Sequence, residues 1–195
     1  MNPFKRVQYN APVTITFVLL ALAALVADHF TKGAANPILF MVYRAPPTQL
    51  LTYFRLFGHV LGHGGPEHYV NNMLTILIIG PMLEEKYGGK RLALMMAVTA
   101  LVTGILFIVV SDKALLGASG IVFMLIMLSP FVNMQKGRVP ITLILVIAVF
   151  LGREIYAGVT SESNVSHMTH IIGGLCGGVF GIFINKSKLS KSDGK

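Results

Sequence analysis

Four side chains in this sequence have the types that acyl transfer needs, namely Ser119, His170, His68 and Asn72. A serine hydroxyl is a weak nucleophile until a neighbouring imidazole takes its proton, and His170 is a candidate for that base. The developing oxyanion then needs preorganised donors, which an imidazole N–H, a side-chain amide and the Ser119 backbone N–H can supply. Each residue alone has an ordinary explanation as helix polarity or interfacial packing. The question is whether the chain brings them to one place.

Ser119 lies in the turn Gly117-Ala118-Ser119-Gly120, at the head of an apolar run that reads as buried helix. His68 and Asn72 are four apart, so they share one helix face. His170 is followed by Gly173, Gly174, Gly177, Gly178 and Gly181 in interleaved Gly-x-x-x-Gly spacing, a surface that lets another helix approach closely. The serine helix, with glycine on both sides of its serine, is the most useful neighbour.

The elements that must position these groups are membrane helices. Of 195 residues, 54% are hydrophobic and only 12% charged, whereas about a quarter are charged in soluble domains. Several runs approach the roughly 20 apolar residues that cross a bilayer. The expected fold is all-α and polytopic: six helices near residues 11–27, 66–83, 92–110, 118–133, 139–157 and 165–184. Residues 1–10 form a short N-terminal segment, 11–184 one membrane domain and 185–195 a basic polar tail. The first run also shares the layout of a signal peptide; an uncleaved first helix is the preferred reading. Residues 31–65 contain apolar pieces too short to span, broken by Asn36-Pro37 and Ala45-Pro46-Pro47, and suit a half-inserted or interfacial loop. Residues 84–91 are expected to form a turn.

Sixteen Lys and Arg residues make the chain basic, with a net charge of +8. Alternate sides of the six-helix scheme collect them unequally, and only Lys32, Arg44, Arg55, Lys113 and Arg153 fall on the minority side. Positive charge favours the cytoplasmic face, so both termini are expected inside. That asymmetry accounts for the charge without nucleic acid. It also puts His68, Asn72, Ser119, His167 and His170 at one level near the outer face, although their helices are far apart in sequence. Intramembrane polar groups are costly and mark functional sites.

Other chemistry fits less well. His59, His63 and His68 share a segment but lack a His-Glu-x-x-His pair or a well-placed carboxylate, so neither a metal nor an organic cofactor is implied. Asp28 and Asp112 lie at helix ends, which disfavours aspartyl chemistry. The single Cys176 excludes an internal disulfide. A small transporter could use a polar cluster of this kind, but no inverted repeat is visible.

These residues resemble the rhomboid family of intramembrane serine proteases over most of the chain. The resemblance rests on Gly117-Ala118-Ser119-Gly120 at the start of a fourth helix, on His170-Ile171-Ile172-Gly173 with Gly177 after it in a sixth, and on His68-x-x-x-Asn72 in a second. It implies a six-helix core with a membrane-embedded first loop. It also implies a Ser119–His170 dyad with oxyanion stabilisation by His68 and Asn72, acting on transmembrane segments of other proteins. Access would come through movement of the fifth helix or of the loop near Ser161. His63 matches a structural histidine, and Glu84 a glutamate that ties down the embedded loop. Arg55 matches the arginine of a Trp-Arg motif in which this chain has Phe54. Phe123 stands where many members have a tyrosine packed on the base. A bacterial-type inner-membrane location, with lipid and membrane-protein partners, follows from the same resemblance. So does the alternative of an inactive relative that only binds membrane clients.

Overall fold

Proline and glycine punctuation divides the chain into helices. The computed structural model describes residues 8–135, 138–160 and 164–192. Its α-helices are α1 (Pro12–Phe30), α2 (Leu50–Gly58), α3 (Pro66–Tyr87), α4 (Gly89–Val110), α5 (Ser119–Leu128), α6 (Ile141–Thr160) and α7 (Asn164–Ser192). Proline opens α1 and α3, where its missing N–H costs nothing. A π-helical turn, Asn36–Phe40, lies in the first loop, and α5 continues as a 3-10 turn, Ser129–Asn133.

The protein is an all-α polytopic membrane protein. Among the described residues three segments are long and apolar enough to cross a bilayer: Pro12–Phe30, Gly89–Val110 and His167–Ile184. Ser119–Asn133 and Ile141–Phe150 are shorter apolar segments. Large apolar side chains such as Ile78, Leu94, Val109 and Leu175 are exposed, as a lipid-facing surface requires.

The core is built around α5. Ile121, Val122, Phe123, Met124, Leu125, Met127 and Leu128 are all buried. One hydrophobic cluster joins residues of this helix to Met73, Ile76 and Leu83 of α3, Met95, Met96 and Ala100 of α4, and Cys176 and Phe180 of α7.

Three expectations are corrected. The turn foreseen over residues 84–91 shrinks to Gly88, whose φ of +85° breaks the chain between α3 and α4; glycine accepts this conformation without strain. The polar tail after Ile184 is helical as far as Ser192, because its Lys, Ser and Leu residues contain no proline or glycine to stop the helix. Finally, Glu84 does not hold the first loop. Its Oε1 accepts from the Val13 N–H and its Oε2 from the Thr14 N–H and hydroxyl, each at 2.8 Å. Pro12 has no N–H, so these are the first free donors of α1, and a carboxylate there also suits the helix dipole.

Other residues fix the first loop. Arg55 is buried; its Nε and Nη2 donate to the Ile38 carbonyl at 3.0 and 2.7 Å, and its guanidinium lies 4.6 Å from the Tyr43 ring centroid. Asn36 Nδ2 donates to the His63 carbonyl at 3.0 Å. Val42 and Leu115 form an isolated antiparallel bridge that joins this loop to the segment leading into α5.

Candidate active site

Ser119 opens α5 two residues after Gly117, whose φ is +122°. The Gly117 N–H donates to the His59 carbonyl at 2.8 Å, which anchors the turn to the end of the first loop. His59 is fully buried, and its Nδ1 faces the Arg55 carbonyl at 3.2 Å. A carbonyl only accepts, so Nδ1 carries the proton and Nε2 turns to the Thr103 hydroxyl of α4 at 3.3 Å. Burial pushes this imidazole down to about 4, so it is neutral at ordinary pH.

His68 lies over the other side of the same turn. The Gly64 N–H donates to its Nδ1 at 3.3 Å. The acceptor role of Nδ1 leaves Nε2 as the N–H donor of the neutral ring. A Cβ on Gly117 would meet that Nε2 at 2.8 Å, so only glycine fits beneath the ring. Asn72, one helical turn further along α3, is buried, and its amide nitrogen has no hydrogen-bond partner. An unpaired buried donor is expensive, and its retention one turn from His68 calls for a purpose.

The α7 glycines place His170. A Cβ on Gly173 would collide with the Gly120 carbonyl, and one on Gly177 with the Met124 carbonyl. The two backbones therefore touch, and Thr169 packs against Gly120. Ser119 and His170 each adjoin this contact in sequence. One turn beyond Ser119, the Phe123 ring stacks on His170 with centroids 4.2 Å apart and planes at 35°. His167 stands edge-on to His170 at 6.3 Å.

The structure thus gathers His68, Gly117, Gly120, Phe123, His170 and Gly173 around the start of α5, with Asn72 one turn beyond His68 on α3. His63 borders the group, its ring edge-on to His68 at 5.0 Å and its Nδ1 3.0 Å from the Leu61 carbonyl. Arg55 and Glu84 stand apart. Arg55 serves the first loop, and Glu84 is roughly 24 Å along α3 from His68 at 1.5 Å per residue. Among the described residues no group of three His, Cys, Asp or Glu is arranged to hold a metal ion. The segment around Ser161 lies outside the described residues. Sequence reasoning gave no role to His59 and Thr103; a histidine inside an apolar stretch was the available signal.

Comparison with known proteins adds to this geometry. A family model described as a rhomboid domain matches residues 51–187. Rhomboid protease GlpG of Haemophilus influenzae is 30% identical over 110 residues, which cover 56% of this chain and 57% of that protein. RHOMBOID-like protein 4 of Arabidopsis thaliana is 36% identical over 111 residues, covering 53% of this chain and 28% of that protein. Rhomboid protease GluP of Bacillus subtilis is 25% identical over 181 residues, covering 88% and 34%. The chain therefore spans between 28% and 57% of the length of these relatives.

Proposed function

This chain belongs to the rhomboid family, and on that footing we propose that it is an intramembrane serine endopeptidase cutting peptide bonds in or beside transmembrane segments. The observation that carries the reading is the stack of His170 on Phe123, one turn after Ser119, at the glycine contact between α5 and α7. In this reading α1, α3, α4, α5, α6 and α7 are the six membrane helices of the core, and the first loop is embedded beside them. Both termini face the cytoplasm, and the site opens toward the outer face of a bacterial-type membrane.

The Ser119 hydroxyl attacks the scissile carbonyl while His170 takes its proton. The tetrahedral oxyanion receives hydrogen bonds from the His68 Nε2–H, the Asn72 amide and the Ser119 backbone N–H. As the intermediate collapses, the C–N bond breaks and the imidazolium returns its proton to the leaving amine. Water then attacks the acyl-enzyme with His170 again as base, which releases the new carboxylate and restores the serine. A substrate helix must first expose its backbone, so residues that weaken helix near its outer end favour cleavage.

The test is reconstitution of wild type and S119A in liposomes with a single-span reporter, with the products mapped by mass. The wild type is expected to yield one discrete cut that S119A lacks. A cut made equally by purified S119A would overturn the reading, and a wild type that retains the reporter uncut would favour a client-binding relative.

A further inference from the structure

Between α5 and α6 runs a groove of about 280 Å³ whose walls include Phe123, Val146, Val149 and Phe150. Among the described residues its lining is apolar with one exception, Arg153 of α6. Arg153 is exposed, and its guanidinium lies 5.5 Å from the Phe123 ring centroid. The same Phe123 ring stacks on His170. Hence one ring separates the only charge among the described lining residues from the base of the proposed dyad. Among the described residues Arg153 has no carboxylate partner; the salt bridge found there joins Arg44 to Asp112.

A guanidinium beside lipid normally extends along its helix toward the headgroups, its methylene stem covering apolar surface. Arg153 instead lies over an aromatic face in the groove, beside Phe123 of α5. Cation–π contact holds it there and leaves its donors for a planar, two-oxygen acceptor. An apolar groove with one unpaired guanidinium complements a peptide that is apolar along its length and carries a single carboxylate. The outer end of a transmembrane helix with an acidic residue beside it has that pattern. We propose that Arg153 determines specificity by pairing with an Asp or Glu that flanks the scissile bond of the substrate. This rests on the protease reading above and names the class of substrate that the site prefers.

The experiment uses the full chain in liposomes and three single-span reporters that differ only at the residues next to the cut, which are Asp, Asn or Lys. Wild type is expected to cleave the Asp reporter about tenfold or more faster, in kcat/KM, than the Asn reporter, as a charge-assisted hydrogen bond allows. Arg153→Gln should remove that preference, and Arg153→Glu should transfer it to the Lys reporter. Restoration by charge reversal does not come from a merely structural role. Equal cleavage of all three reporters by wild type overturns the inference and leaves the protease reading standing. A preference that persists in Arg153→Glu, or one that tracks anionic lipid content and not the reporter, overturns it too. If wild type cuts no reporter that S119A spares, the protease reading itself fails, and this inference with it.

Discussion

The His170 imidazole and the Phe123 phenyl ring lie 4.2 Å apart, centroid to centroid, with their planes inclined by 35°. The contact orients the ring plane of the proposed base through its face and not through a ring nitrogen. A tyrosine at this position would add a hydroxyl, but the platform needs only the ring.

Replacing Phe123 by alanine therefore removes an orienting surface while the base itself remains. An aromatic pair of this kind contributes about 0.5–1.5 kcal/mol beyond its buried area, so kcat should fall about three- to tenfold. KM should change less, because the loss is in the reacting geometry. F123Y should retain most of the activity. Steady-state kinetics on a reconstituted reporter separate the two parameters, and a change confined to KM would contradict this role.

The α5–α7 contact predicts a difference between two chemically identical substitutions. Gly173→Ala puts a methyl group against the Gly120 carbonyl, and backbone cannot step aside as a flexible side chain can. Overpacking of this kind costs about 1–3 kcal/mol. Gly178→Ala meets nothing within 4 Å and should be neutral or slightly stabilising. Thermal unfolding in detergent, run on the pair, should show a lowered midpoint for G173A alone.

Glu84 offers a test far from the site. Glu84→Gln replaces one acceptor oxygen with an NH2 that faces either the Val13 N–H or the N–H and hydroxyl of Thr14. Losing charged hydrogen bonds at a buried position costs about 1.5–3 kcal/mol, and the affected element is α1. E84Q should lower the unfolding midpoint and raise hydrogen exchange at the start of α1, whereas Glu85→Gln, at an exposed position, should do neither.

His59 gives the fold a sensitivity to acid. It lies in the first loop, outside the spanning helices, and burial holds it at about 4, against 6.5 when exposed. The unfolded chain therefore binds a proton that the folded chain refuses, and stability falls as pH drops from about 6.5 toward 4. One such group contributes a slope of up to about 1.4 kcal/mol per pH unit in that window. Unfolding midpoints measured between pH 7 and 4.5 should fall more steeply for wild type than for His59→Gln.

The legible parts of this protein were those where chemistry restricts residue type. Ser119, His170, His68 and Asn72 stand out because apolar helices carry such groups rarely, and the glycines after His170 announce a close neighbour. The partner of Glu84 was not legible, because it depends on where the first N–H groups of α1 arrive in space. The pairing of His59 with Thr103 was hidden for the same reason: His59 stands out in its apolar stretch, but nothing local points to Thr103 as its partner. The groove beside Arg153 depends on how α6 lies across α5, which no local pattern encodes. The helical continuation beyond Ile184 was masked by a polar composition that reads as tail but contains no helix breaker.

The ties that hold the serine turn in place run main chain to main chain. Val42 and Leu115 exchange both of their backbone hydrogen bonds at 2.9 Å, and Gly117 reaches the His59 carbonyl through its own N–H. Hydrogen bonds of this kind do not register which side chain stands above them. The identities at positions 42 and 115 can drift without displacing Ser119, provided that the new residue is no proline and fits the buried pocket. Insertions such as Ala45-Pro46-Pro47 are absorbed on the far side of the bridge, so the nucleophile is insulated from the variation of the loop that holds it.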